Sequence, residues 1–140
     1  MIIVICGLPG VGKSFIAKRL TETIDNSVYI NSDVVRKNLF NIPVFERVSD
    51  DLKDKVYSEE VTEKVYDKMI KEAIELAKNG KVVILDATFN KRKHQIKLIK
   101  EATNFSIPVR FFLLIADDEV VRERLEKREK ERSVSDANYE

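Results

Sequence analysis

Apolar residues along the chain follow two rhythms, short unbroken runs and longer stretches with helical spacing. The runs are Ile2, Ile3, Val4, Ile5 and Cys6; Ser27, Val28, Tyr29, Ile30 and Asn31; Val82, Val83, Ile84 and Leu85 ending at Asp86; and residues 109–115 behind Pro108. Runs of this length read as strands, and one without polar alternation suits a parallel strand buried on both faces. A helix is predicted over 15–24 after the first run, and Ser32 is the expected N-cap of another over 33–40. From 55 to 79, Val61, Val65, Met69 and Ala73 recur with Tyr66, Ile70, Ile74 and Ala77 beside them. That spacing predicts one long amphipathic helix, closed by Asn79-Gly80 as a left-handed cap, its aromatic and Met positions core rather than cofactor contacts. Residues 91–103 read as a helix with Ile96 and Ile99 inward and His94 solvated among Lys91, Arg92, Lys93 and Lys97. Asp117 opens a charged helix toward Arg132, and 41–54, broken by Pro43, lacks a period and is the expected substrate-facing segment. Strands alternating with helices imply right-handed crossovers and a parallel sheet covered on both faces, with ligands beyond the carboxyl ends of the strands.

Behind the first run stands Gly7-Leu8-Pro9-Gly10-Val11-Gly12-Lys13-Ser14, which fits the phosphate-binding loop G-x-x-x-x-G-K-[ST] in its required strand-to-helix context. The three glycines free the backbone to turn successive N–H groups inward around phosphate oxygens, and the following helix points its positive end there. Lys13 is expected to reach the β- and γ-phosphates, and Ser14 to complete the coordination of a Mg²⁺ that keeps most of its waters. Gly7, Pro9, Gly10, Val11, Gly12, Lys13, Ser14 and Phe15 are therefore the expected contacts of a nucleoside triphosphate, with ATP as the donor. Asp86, at the end of an apolar strand, resembles the second phosphate-loop signature, whose carboxylate holds a metal water or the loop hydroxyl. A strand-end Asp that caps the next turn is the alternative.

With 140 residues the chain is expected to be one domain, 1–140, built on a single core. A hydrophobic share of 44% beside a charged share of 35% fits a soluble globular protein. Net charge is +1, so no global attraction to nucleic acid or an anionic membrane is indicated. The N-terminal apolar run is too short for a membrane span and lacks the form of a signal peptide, which with a single cysteine makes cytoplasmic the default. Cys6 is best read as a small core residue.

Absent signatures narrow the choice. ATP-hydrolysing motors carry a glutamate after the strand-three Asp, but Ala87 stands there; Asn90-Lys91 continues Arg92-Lys93 rather than the Asn-Lys-x-Asp of guanine-nucleotide switches. What is present resembles the AAA domain-containing predicted kinases related to polynucleotide 5′-kinases and zeta toxins. The likeness runs through the phosphate loop, Ser32-Asp33-Val34-Val35-Arg36-Lys37, Tyr57 with Thr62 and Val65-Tyr66, Gly80 with Val83 to Phe89, Arg124-Leu125 with Arg128, and Ser135-Asp136-Ala137. It implies a three-layer α/β fold with strand order 2-3-1-4, lacking the further strand or helix with which relatives continue. It also implies that Asp33 takes the proton of an acceptor hydroxyl, that Arg36 helps hold the acceptor, and that Arg124 and Arg128 belong to a lid at about 122–140.

The residues support those roles without the resemblance, because an Asp at a helix start one turn from an Arg offers a base and an anion clamp on one face. Plain capping by Ser32-Asp33 is the alternative. Arg124, Arg128 and Arg132 form a like-charged stripe that a polyphosphate would neutralise, while Glu123, Glu126, Glu129 and Glu131 leave a solvated face as the other reading. The acceptor carries no motif; nucleic acid enters only as a candidate substrate, for which Lys91, Arg92, Lys93 and Lys97 could supply a channel. A nucleotide-binding regulatory module that performs no transfer is the rival from another class.

Overall fold

The computed structural model describes residues 1–8 and 11–115. Along them run β1 (Ile2–Cys6), α1 (Lys13–Thr23), β2 (Ser27–Asn31), α2 (Ser32–Leu39), α3 (Asp50–Val56), α4 (Glu59–Lys78), β3 (Val82–Asp86), α5 (Arg92–Asn104) and β4 (Val109–Leu113). The strands pair in parallel in the order β2-β3-β1-β4. The two most apolar runs take the centre, where β1 is buried at all five positions. Alternate residues feed two layers. Ile2, Val4, Val83 and Leu85 pack with Val65, Met69, Ile70 and Ala73 of α4 and with Leu98 of α5. Ile3, Ile5 and Ile84 pack on the opposite face with Ala17 of α1. Each such fully buried aliphatic side chain contributes about 1.5–3 kcal/mol relative to exposure.

Four expectations need correction. The stretch 41–54 includes most of α3, and the helix expected over 55–79 is two helices that break at Tyr57-Ser58. Ser58 caps the second by accepting from the Val61 N–H at 3.3 Å, so the chain stops and restarts although the apolar stripe continues. The N-cap of α2 is Asn31 rather than Ser32. In α5 the inward face is His94, Leu98 and Ala102, while Ile96 and Ile99 are exposed. The left-handed cap at Gly80 is present, with φ of 83° and the Lys81 N–H reaching back to the Leu76 carbonyl at 3.1 Å.

No helix among the described residues is long and apolar enough to cross a membrane. The charged helix expected from Asp117 lies outside the described residues. Register then positions the chemistry: Asn31 is paired with Asp86 across β2 and β3, and Ile5 with Asp86 across β1 and β3. The polar residues that end the apolar strands therefore meet at the carboxyl ends of the strands, beside the loop that leaves β1.

Candidate active site

Gly7 leaves β1 with φ of 137°, and a Cβ there would lie 2.7 Å from the backbone oxygen of Leu114. Val11 is buried and Gly12 turns into α1 with φ of 96°. Among the described residues no side chain caps α1 and no acidic residue occupies its first turn, an end that favours negative charge. Lys13 Nζ donates to the carbonyls of Gly7 at 2.8 Å and Leu8 at 3.1 Å, folding back over its own loop. Phe15 is 65% exposed on the first turn of α1, with the Arg19 guanidinium 5.9 Å from its ring. Pro9 and Gly10 lie outside the described residues.

Asp86 is buried, and its Oδ2 accepts from Ser14 Oγ at 2.9 Å, the Tyr29 hydroxyl at 2.6 Å and Asn31 Nδ2 at 3.0 Å. Burial, reinforced by the Asp86 charge, pushes the Tyr29 phenol well above its ordinary range and keeps it a donor. Ser14 and Asp86 form a pair of hard oxygen donors. Mg²⁺ fits that set, since it dehydrates reluctantly and takes one or two protein oxygens together with phosphate. Among the described residues no group of three or more His, Cys, Asp or Glu side chains offers an all-protein cage.

Two residues beyond β2, the Asp33 carboxylate is also buried. Its Oδ1 accepts from the Tyr57 hydroxyl at 3.0 Å, and Lys37 Nζ lies 3.8 Å from its Oδ2. Lys37 is fully buried and donates to the carbonyls of Val44 at 3.2 Å and Glu46 at 2.8 Å, which ties the segment after α2 to the same carboxylate. Arg36 Nη1 donates to the Val56 carbonyl at 2.9 Å and Thr62 Oγ1 at 3.0 Å, clamping the end of α3 to the start of α4. Its guanidinium carbon is 4.9 Å from the Tyr57 ring centre. Tyr57 and Lys37 had no role in the sequence reading; the Asp33-to-Lys37 spacing of one helical turn was the signal for the second.

Beyond Asp86, the Tyr66 hydroxyl accepts from the Phe89 N–H at 3.1 Å and lies 3.3 Å from Thr88 Oγ1. His94, expected in solvent, is only 2% exposed: its ring stacks on Tyr66 at 3.9 Å and its Nε2 lies 3.0 Å from Glu63 Oε1. The neighbouring lysines are matched by acids of α4, Lys91 with Glu59 at 3.3 Å, Lys93 with Glu63 at 2.6 Å and Lys97 with Asp67. Arg124 and Arg128 lie outside the described residues.

The structure thus brings Lys13, Ser14, Asp33 and Asp86 to the carboxyl ends of the strands. Residues 2–140 match a family model described as AAA domain. An adenylate kinase isoenzyme 6 homolog from Plasmodium falciparum (isolate 3D7) is 28% identical over 131 residues, spanning 90% of this chain and 64% of that protein. A chain of the Pnkp1/Rnl/Hen1 RNA repair complex matches with a TM-score of 0.72 at 24% identity, over 94% of this chain and 38% of that one. Chaetomium thermophilum Kti12, solved in complex with ADP-AlF3, matches with a TM-score of 0.69 at 22% identity, over 100% of this chain and 74% of its own. This chain therefore covers less than two thirds of both the curated relative and the repair-complex chain. With a sheet of this order, a loop of this sequence at the carboxyl end of its central strand and a family match from residue 2 onward, the chain belongs to the AAA domain family of phosphate-loop, kinase-like proteins.

Proposed function

We propose that this chain, taken as one domain over 1–140, is a kinase that transfers the γ-phosphate of Mg-ATP to a hydroxyl acceptor. The observation that carries the reading is the placement of two buried carboxylates at the ends of adjacent strands. Asp86 is hydrogen-bonded to the phosphate-loop Ser14, and Asp33 stands at the head of α2. One belongs to the donor side and the other to the acceptor side of the same crevice.

Lys13, a compact charge on a flexible stem, exchanges its loop carbonyls for the β- and γ-phosphates. Ser14 and Asp86 would hold Mg²⁺, which would offset charge on the phosphates. Asp33 orients the acceptor hydroxyl and takes its proton as the new oxygen–phosphorus bond forms; the bond to the β,γ-bridging oxygen breaks and ADP leaves. Arg36 acts on the acceptor side by fixing the α3–α4 joint as well as by its charge. Arg124 and Arg128 of the lid meet the charge of the transferring group. Positioning and electrostatics supply most of the rate in such a site.

A polynucleotide acceptor is disfavoured along α5. Three of the four basic residues that could line a strand there are paired with acids of α4, which cancels much of their field. The deciding experiment is transfer of labelled γ-phosphate from ATP to a panel of oligonucleotides, nucleosides, sugars, antibiotics and cell extract. ATP consumed only in the presence of one acceptor class is the expected result. Binding without consumption across the whole panel would leave a nucleotide-binding regulatory module instead.

A further inference from the structure

Every hydrogen-bonding position of the Asn31 side chain is occupied. Its Nδ2 donates to Asp86 Oδ2 and to the Tyr29 hydroxyl, each at 3.0 Å. Its Oδ1 accepts from the backbone N–H of Asp33 at 2.8 Å and of Val34 at 3.2 Å. A primary amide has two N–H groups and two lone pairs, so these four bonds are its full complement. The orientation of the amide follows from its partners. A carboxylate only accepts and a backbone N–H only donates, so the reversed amide would face oxygen with oxygen and nitrogen with nitrogen.

We infer that Asn31 is a positioning residue that couples the Mg-nucleotide half of the site, through Asp86, to the acceptor half, through the first turn of α2. The inference rests on the kinase reading above and deepens it. Capping alone does not call for an amide, because Ser, Thr or Asp would accept from the same two N–H groups. Asn adds a donor on the other side of one planar group, and that donor reaches the carboxylate paired with Ser14. The side chain is buried, so the amide cannot exchange these partners for water. Asp86 fixed by a bound metal would hold the amide more rigidly through their hydrogen bond. The same plane carries the cap oxygen, so the N-terminal turn that carries Asp33 responds.

The test uses variants that keep the cap and remove the donor, Asn31→Ser and Asn31→Thr. Two quantities are measured: affinity for a fluorescent ATP analogue with Mg²⁺ and in EDTA, and hydrogen exchange at the Asp33 and Val34 amides in the free and nucleotide-bound protein. In the wild type, Mg-ATP is expected to slow exchange at these two amides more than ATP in EDTA does. In both variants that Mg²⁺-dependent difference disappears, and affinity falls by about threefold to tenfold with Mg²⁺, the range one side-chain hydrogen bond commands, but not in EDTA. Variants that retain the difference and the wild-type Mg-ATP affinity reduce Asn31 to a helix cap and overturn the coupling. A wild type that binds Mg-ATP without any Mg²⁺-dependent slowing at Asp33 and Val34 also overturns it, while leaving the kinase reading intact. That wild-type comparison decides the matter by itself if neither variant folds. A wild type that binds no Mg-ATP removes the kinase reading and this inference together.

Discussion

The Tyr57 hydroxyl donates to Asp33 Oδ1 at 3.0 Å, so the joint between α3 and α4 is tied to the carboxylate at the head of α2. Tyr57→Phe keeps the ring that lies against the Arg36 guanidinium and removes only the donor. A hydrogen bond to a charged group contributes about 1.5–3 kcal/mol, so the melting temperature should drop by several degrees. ATP affinity should hold within about twofold, because the lost bond joins Asp33 rather than the Ser14–Asp86 pair. Calorimetry beside a nucleotide titration checks both, and an unchanged melting temperature would show the bond to be idle.

Asp33→Asn separates base from shape. Loss of a positioned proton acceptor lowers transfer by about 10² to 10⁴, whereas the Asn31 cap of α2 is untouched. Near-normal Mg-ATP affinity with transfer reduced at least about a hundredfold is expected. If affinity and rate fell together, Asp33 would be a donor or metal ligand.

Lys13→Ala removes the mobile cation but leaves the backbone of the loop and the uncapped head of α1. Nucleotide affinity should therefore fall modestly while turnover collapses. Initial rates with any identified acceptor test this, and undiminished turnover would refute the assignment of the loop.

The strands and the loop were legible in the sequence because their signals are local: an unbroken apolar run needs burial on both faces, and G-x-x-x-x-G-K-S has few other uses. The misses share a cause, since periodicity reports only apolar spacing. Within α3, Leu52 is exposed and Val56 alone is buried, so no stripe exists to detect. The break at Tyr57-Ser58 leaves the stripe of α4 unchanged; its sign was the capping Ser58 followed by Glu59 and Glu60 at the positive end of a helix. His94 was assigned to solvent by its polarity and its basic neighbours. Its flat ring stacks on Tyr66, and Glu63 satisfies Nε2, which is a tertiary match no window along the chain can display. The bonds of Asn31 to Asp86 and of Tyr57 to Asp33 span 55 and 24 residues of sequence and are hidden for the same reason, whereas Lys37 stands one helical turn from Asp33.

Alkaline pH should loosen the fold through Tyr29 and Tyr66, whose phenols are both pushed up from the ordinary 10.0, first by burial. In the unfolded chain each loses its proton near that ordinary value; in the folded chain each loses it later. The folded state then holds more protons, so stability is fully present below about pH 10 and falls as pH rises beyond it. Phenolate absorbance should show Tyr29 and Tyr66 titrating late. Tyr29→Phe should remove one of those two. A single transition at the ordinary value for every tyrosine would contradict the buried phenols.

Two glycines with positive φ separate strain from crowding. At Gly80, φ is 83° and an added Cβ meets nothing within 4 Å, so Gly80→Ala incurs only the left-handed penalty of about 1–2 kcal/mol, partly offset by a less free unfolded chain. At Gly7, φ is 137° and the added Cβ lies 2.7 Å from the Leu114 backbone oxygen and 3.1 Å from Val11 Cγ2. Leu114 cannot simply withdraw, because its N–H is bonded to the Cys6 carbonyl at 2.9 Å. Strain and overpacking then add to about 2–6 kcal/mol, a large part of the roughly 5–15 kcal/mol that holds a domain of this kind together. Urea denaturation should therefore place the Gly7→Ala midpoint well below that of Gly80→Ala, with similar slopes for both. Where Gly7→Ala still folds, its nucleotide affinity should fall too, since relief of the clash has to move the loop between β1 and α1, while Gly80→Ala binds as the wild type does. The reverse order of midpoints would mean that the β1 exit relaxes freely and that the phosphate loop is not held in shape by the strand beside it.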